Sequence, residues 1–128
     1  MTKNDALPFP TILIIDGAER EYSAVALLRR GEKPEIASQP VKAQELPVMI
    51  GELLAHAGCP PAGLKAVALV KREGSVTATR IATATANTLA WLERLPILEV
   101  EADSLETAVE ALSAGRYAAA VKNSLPFA

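Results

Sequence analysis

From Ile81 to Leu92 the chain reads IATATANTLAWL, and no residue in that run is charged. A helix with one side in water normally carries Glu, Lys or Arg there, because those residues form helices well and threonine does so less readily. A helix that is uncharged all round is usually buried on more than one side. The run therefore demands a core on one flank and a second covering element on another. Just before it lie an apolar run, AVALV at residues 66–70, and a short polar loop containing Gly74 and Ser75. A strand, a glycine loop and a helix N-terminus in that order also form a place where phosphate binds. Two uses of the stretch compete: an anion-holding loop and a face on which another helix can come close.

The remaining elements fall around this one. Residues 11–15 (TILII) are a continuous apolar run ending at Asp16-Gly17, a turn signal. Residues 21–28 (EYSAVALL) make a second strand, and the short link between the two predicts a hairpin. Residues 34–38 fit a third, edge strand that tolerates a proline. Residues 38–57 read as a helix with Val41, Leu46, Ile50, Leu53, Leu54 and Ala57 as its apolar stripe and Gly58 as its stop. Pro47 is awkward there, since an interior proline costs about 3 kcal/mol, so a bend or a later helix start is expected. The run at residues 66–70 is a central strand by its unbroken apolar character. A helix within residues 75–94, a strand at 97–101 and a third helix from Ser104 to Gly115 follow, with residues 116–121 as a last short strand. Strands separated by full helices imply parallel pairing through right-handed crossovers. The expectation is an α/β fold with a five-stranded mixed sheet in the order β-β-β-α-β-α-β-α. Residues 1–10 are expected to be a flexible N-terminal segment, 11–121 the domain and 122–128 a tail.

At 128 residues one domain is expected. Half the residues are hydrophobic but only 4% are aromatic, so Ala, Val, Leu and Ile must build closely spaced layers. A formal net charge of −2 gives no general electrostatic grip on nucleic acid or anionic lipid. The one cysteine, Cys59, makes no internal disulfide, and no Cys/His cluster is present for a structural zinc. Residues 1–10 are too polar and too broken by proline for a signal peptide, and no apolar run approaches the roughly 20 residues that span a bilayer. A cytoplasmic location follows as the expectation.

At four places the residues resemble TsaB, also called YeaZ, a relative of the glycoprotease-like TsaD proteins. The opening strand and its neighbour in that family read roughly I-L-A-I-D-T and S-V-A-L, against ILIID at residues 12–16 and SAVALL at 23–28 here. The family's first helix carries Leu-Pro and a later glycine, as Leu46-Pro47 and Gly58 do. Its loop-helix motif, G-P-G-S-F-T-G-[LV]-R-I-G, is matched at Gly74, Ser75, Thr77, Arg80 and Ile81. Arg72 and Glu73 replace the first Gly-Pro, and Ala78 and Ala82 replace two further glycines. Leu95-Pro96-Ile97 and Ser104-Leu105-Glu106 match the later strand and helix start. The resemblance covers residues 11–123. It implies one half of an actin-like, ribonuclease H-like ATPase fold. Full-length members continue through a second, similar subdomain whose opening strand ends in Asp, where this chain has Lys122. ATP- and metal-using relatives carry a His-x-x-x-His pair on the first helix. Val41 and Glu45 lie near those places here, and His56 is the single histidine.

Each candidate residue has a functional and a structural reading. Asp16 faces Mg–nucleotide in ATP-using relatives, but Asp before Gly is also an ordinary turn or cap residue. Gly74, Ser75 and Thr77 are placed to cradle an anion, yet Ser75 also suits an N-cap, Glu73 would repel phosphate, and the Walker pattern is absent. Arg80 either holds the loop by reaching Asp16 or loop carbonyls, or is a solvated helix charge. His56 and Cys59 have no identifiable catalytic partner and read as structural. In the TsaB family the first two helices form the face used for homodimerisation or for docking TsaD. That implies interface roles for Leu46, Ile50, Leu53, Ile81, Thr85, Thr88 and Leu92. The expectation is a non-catalytic scaffold without a cofactor or metal. It would associate as a homodimer or with a TsaD-like protein, without touching nucleic acid directly, and serve formation of N6-threonylcarbamoyladenosine in tRNA. The alternatives are an ATP–Mg- or phosphate-binding actin-like domain and a stand-alone homodimeric module.

Overall fold

A computed structural model describes residues 7–119. Its strands are β1 (Thr11–Glu19), β2 (Tyr22–Arg29), β3 (Glu35–Gln39), β4 (Ala66–Lys71), β5 (Ile97–Glu101) and β6 (Ala118–Ala119); its α-helices are α1 (Leu46–Ala57), α2 (Val76–Glu93) and α3 (Leu105–Ser113). The sheet runs β3-β2-β1-β4-β5-β6. The first three strands form an antiparallel meander, β1, β4 and β5 are parallel, and β6 closes the edge antiparallel to β5. The sheet thus has six strands, one more than the five expected. The sixth falls inside the stretch at residues 116–121, and two alanines are too few to carry a strand periodicity. Lys122 and the expected tail at 122–128 lie outside the described residues.

Three boundaries move for identifiable reasons. Asp16-Gly17 is not the hairpin turn. Asp16 still pairs with Ala24, the register shifts between Asp16 and Glu19, and the turn comes at Arg20-Glu21. α1 starts at Leu46, after a 3-10 turn at Ala43–Glu45, so Pro47 sits in the first helical turn where its missing N–H has no partner to lose. Gly58 ends that helix in the left-handed conformation, with φ of 66°. The folded body also begins before residue 11. Leu7 is buried, and the Arg30 guanidinium donates to its carbonyl through Nε and Nη2 at 3.1 and 2.9 Å.

Side chains alternate across the sheet into two cores. Leu13, Ile15, Val25, Leu27, Val67 and Leu69 face α1 and α2; Ile12, Ile14, Ala26, Leu28, Ala68 and Val70 face α3. α2 meets the sheet with Ala78, Ala82, Ala86 and Ala90, all buried. This alanine row brings the helix backbone close to β1. A Cβ at Gly17 would lie 2.8 Å from the Ala82 Cβ and 3.0 Å from Leu46 Cδ1. Gly17 is therefore a packing residue of the strand.

Candidate functional site

The two ends of α2 are built differently. At the N-terminal end, the loop from β4 folds back against β1. The Ser75 N–H donates to the Ala18 carbonyl at 2.7 Å, and a Cβ at Gly74 would stand 2.3 Å from that same oxygen. Ser75 Oγ accepts from the Ala78 N–H at 3.2 Å and is the helix N-cap. Ser75→Ala is expected to lower stability by about 1 kcal/mol, read as a shift of the urea midpoint at constant slope.

Asp16 is 5% exposed, and its carboxylate accepts both arms of a guanidinium fork, Arg72 Nε to Oδ1 at 3.2 Å and Nη2 to Oδ2 at 3.1 Å. Arg72 Nη1 also reaches Glu19 Oε1 at 3.4 Å. Arg72, not Arg80, is thus the partner of Asp16; Arg80 is exposed on α2. Sequence reasoning treated Arg72 only as a lost glycine. The cue was a cation after β4 level with an acid after a neighbouring apolar run. Thr77 is exposed, and with Ser75 it borders a depression of about 230 Å³ beside Arg20 and Lys42, away from the Asp16 pair. The loop candidates are therefore not one constellation.

Towards its C-terminal end, α2 borders an apolar groove of about 400 Å³ shared with α1. Pro47 and Ile50 line it from α1, and Ile81, Thr85, Thr88 and Leu92 from α2, with Ala84 and Leu89 between them. No lining residue is charged. The Thr85 hydroxyl donates to the Ile81 carbonyl and that of Thr83 to the Thr79 carbonyl, each at 2.8 Å. These hydroxyls already have a partner within the helix, which leaves the surface less polar than its composition suggests. Leu92, Trp91 and Val48 are exposed at 61%, 51% and 54%.

Of the seven expected interface residues, the groove collects Ile50, Ile81, Thr85, Thr88 and Leu92. Leu46 and Leu53 are corrected: they are 0% and 6% exposed, because α1 turns them onto the sheet core. His56 is exposed, and the Cys59 thiol is buried, lying 3.5 Å from the Pro60 carbonyl. Among the described residues no helix is long and apolar enough to cross a membrane.

Residues 25–116 match the TsaD family, described as tRNA N6-adenosine threonylcarbamoyltransferase. The chain belongs to this family. Among solved structures it is similar to YeaZ from Pseudomonas aeruginosa, at 30% identity and a TM-score of 0.66, over 73% of this chain and 44% of that one. A second structure, described as an uncharacterized protein with similarity to peptidase YEAZ from Pseudomonas aeruginosa, gives 29% identity, the same TM-score and the same coverage. This chain therefore spans less than half the length of the YeaZ structures it matches. No curated protein matches. The YeaZ likeness fixes the fold as one actin-like, ribonuclease H-like α/β unit. Within it, three of the five matched motif positions have visible structural work here: Gly74 allows the close approach, Ser75 caps α2, and Ile81 lines the groove.

Proposed function

We propose that this YeaZ-like chain is a non-catalytic docking unit for the TsaD-type machinery that places threonylcarbamoyl groups on tRNA adenosine. It works in the cytoplasm through the α1/α2 groove. The observation that carries this reading is the groove itself: apolar, uncharged, and lined at one end by Leu92, which is 61% exposed. Isolated exposed apolar side chains need no explanation, but a groove lined wholly by uncharged residues does. A helix pair fits it, because small Ala and Thr side chains let a second helix approach closely. That pair belongs either to a second copy of this chain or to a TsaD-like protein. Direct tRNA contact is left to the partner, since a net charge of −2 offers no phosphate grip.

Sedimentation velocity tests this, run on the chain alone and mixed with the TsaD-like protein of the same organism. A concentration-dependent dimer, or a complex with that protein, is the expected result. A monomer in both runs at micromolar concentration overturns the docking role.

A further inference from the structure

Family resemblance puts Mg–nucleotide near an aspartate on the first strand, and Asp16 occupies that place. Its surroundings do not fit that role. The carboxylate side chain is 6% exposed, and the Arg72 side chain facing it is 19% exposed. Both carboxylate oxygens are engaged by one guanidinium. A magnesium ion needs a carboxylate oxygen with room around it for a near-octahedral shell, usually including several waters. The guanidinium fills that room with a positive charge of its own. A divalent ion brought to Asp16 would also stand within a few ångströms of a fixed positive charge. The nearby Glu19 carboxylate is turned to the same guanidinium. Among the described residues no three His, Cys, Asp or Glu side chains come together as a metal-holding group.

We propose that Arg72 is the resident cation of Asp16: it supplies through its own side chain the positive charge that a divalent ion would bring, and it closes this strand end to Mg–nucleotide. The position is telling, because the matching place in the family motif is glycine, which has no side chain to put there. The pair also has a mechanical role. It ties the residue after β4 to the irregular end of β1, next to the Gly74 contact with Ala18, so the start of α2 is held by an ion pair and a close backbone approach together.

The test is Mn²⁺ binding, read by the loss of the free-ion electron paramagnetic resonance signal, on the wild-type chain, Asp16→Asn, Arg72→Gly, Arg72→Gln and Arg72→Gly with Asp16→Asn. The wild type is expected to show no binding that Asp16→Asn removes. Arg72→Gly is expected to bind Mn²⁺ roughly tenfold or more tighter, the scale of one removed opposing charge, and the double variant is expected to lose that gain. Arg72→Gln keeps bulk and hydrogen-bond donors but not charge, and covers the case in which Arg72→Gly fails to fold by circular dichroism. Two results overturn the proposal: wild-type Mn²⁺ or Mg–ATP binding that Asp16→Asn abolishes, or a folded Arg72 variant that binds no tighter than wild type. The comparison of wild type with Asp16→Asn decides even if both Arg72 variants unfold.

Discussion

Gly74→Ala is expected to lower the unfolding free energy by about 3 kcal/mol, the upper part of the usual range for overpacking. The added Cβ would meet the Ala18 carbonyl oxygen at 2.3 Å and its carbon at 3.0 Å. Those atoms are β1 backbone, held between Asp16 and Glu19, which both pair with β2, so they cannot rotate away as a side chain does. The loop must lift instead, and lifting it breaks the Ser75 N–H bond to the same carbonyl. Gly17→Ala gives a useful contrast. Its neighbours, Ala82 Cβ and Leu46 Cδ1, are side-chain atoms, and the leucine has some freedom to move. A loss of about half as much is expected there. Urea unfolding should rank the midpoints wild type, then Gly17→Ala, then Gly74→Ala, with similar slopes. A Gly74→Ala midpoint equal to wild type would show that the loop does not sit on β1 as described.

Thr85→Arg is expected to weaken association by roughly two orders of magnitude or more, the cost of an unpaired charge in a covered apolar contact. Thr85 lines the groove, and the surfaces around it offer no carboxylate. The variant should still fold, because the buried row of α2 is Ala78, Ala82, Ala86 and Ala90, and an arginine at position 85 has a route to solvent in the isolated chain. Sedimentation velocity and thermal melting on the same sample separate the two effects. Unchanged association with an unchanged melt would remove α2 from the interface. A collapsed melt would instead show that Thr85 belongs to the core.

What the sequence made legible follows from how locally each feature is encoded. The strands at residues 11–15 and 66–70 were readable because each is an apolar run bounded by turn residues, and the strand at 97–101 because Leu95-Pro96 breaks the helix before it. The caps Ser75 and Ser104 and the αL glycine Gly58 were readable because capping acts over a few residues. The late start of α1 was readable from Pro47, but the 3-10 turn at Ala43–Glu45 before it was not, since nothing in its residues separates it from a helical turn. Gly17 was misread because the reason for it, Ala82, is far along the chain and shows no pattern with it. The partner of Asp16 was missed for the same cause: Arg72 is 56 positions away, and Arg80, which matches the family motif, was the arginine weighed for it. Leu46 and Leu53 were assigned to an interface because the family resemblance implies one on the first two helices, and their apolar stripe does not record which element buries it. The uncharged character of the groove's α2 side was legible as the charge-free run from Ile81 to Leu92; the share that α1 contributes through Pro47 and Ile50 was not.

Trp91 is the single tryptophan of the chain, and it is half exposed on α2 three residues beyond Thr88 and seven beyond Ala84. Its indole therefore stands on the helix that carries the groove, next in sequence to Leu92 of the lining and far along the helix from the Arg72–Asp16 pair. The molecule carries its own optical probe on that helix. Anything that covers the indole changes the polarity around the one tryptophan ring, whereas events at the loop end leave that ring in water. Intrinsic fluorescence can thus separate the two ends of α2 without any label.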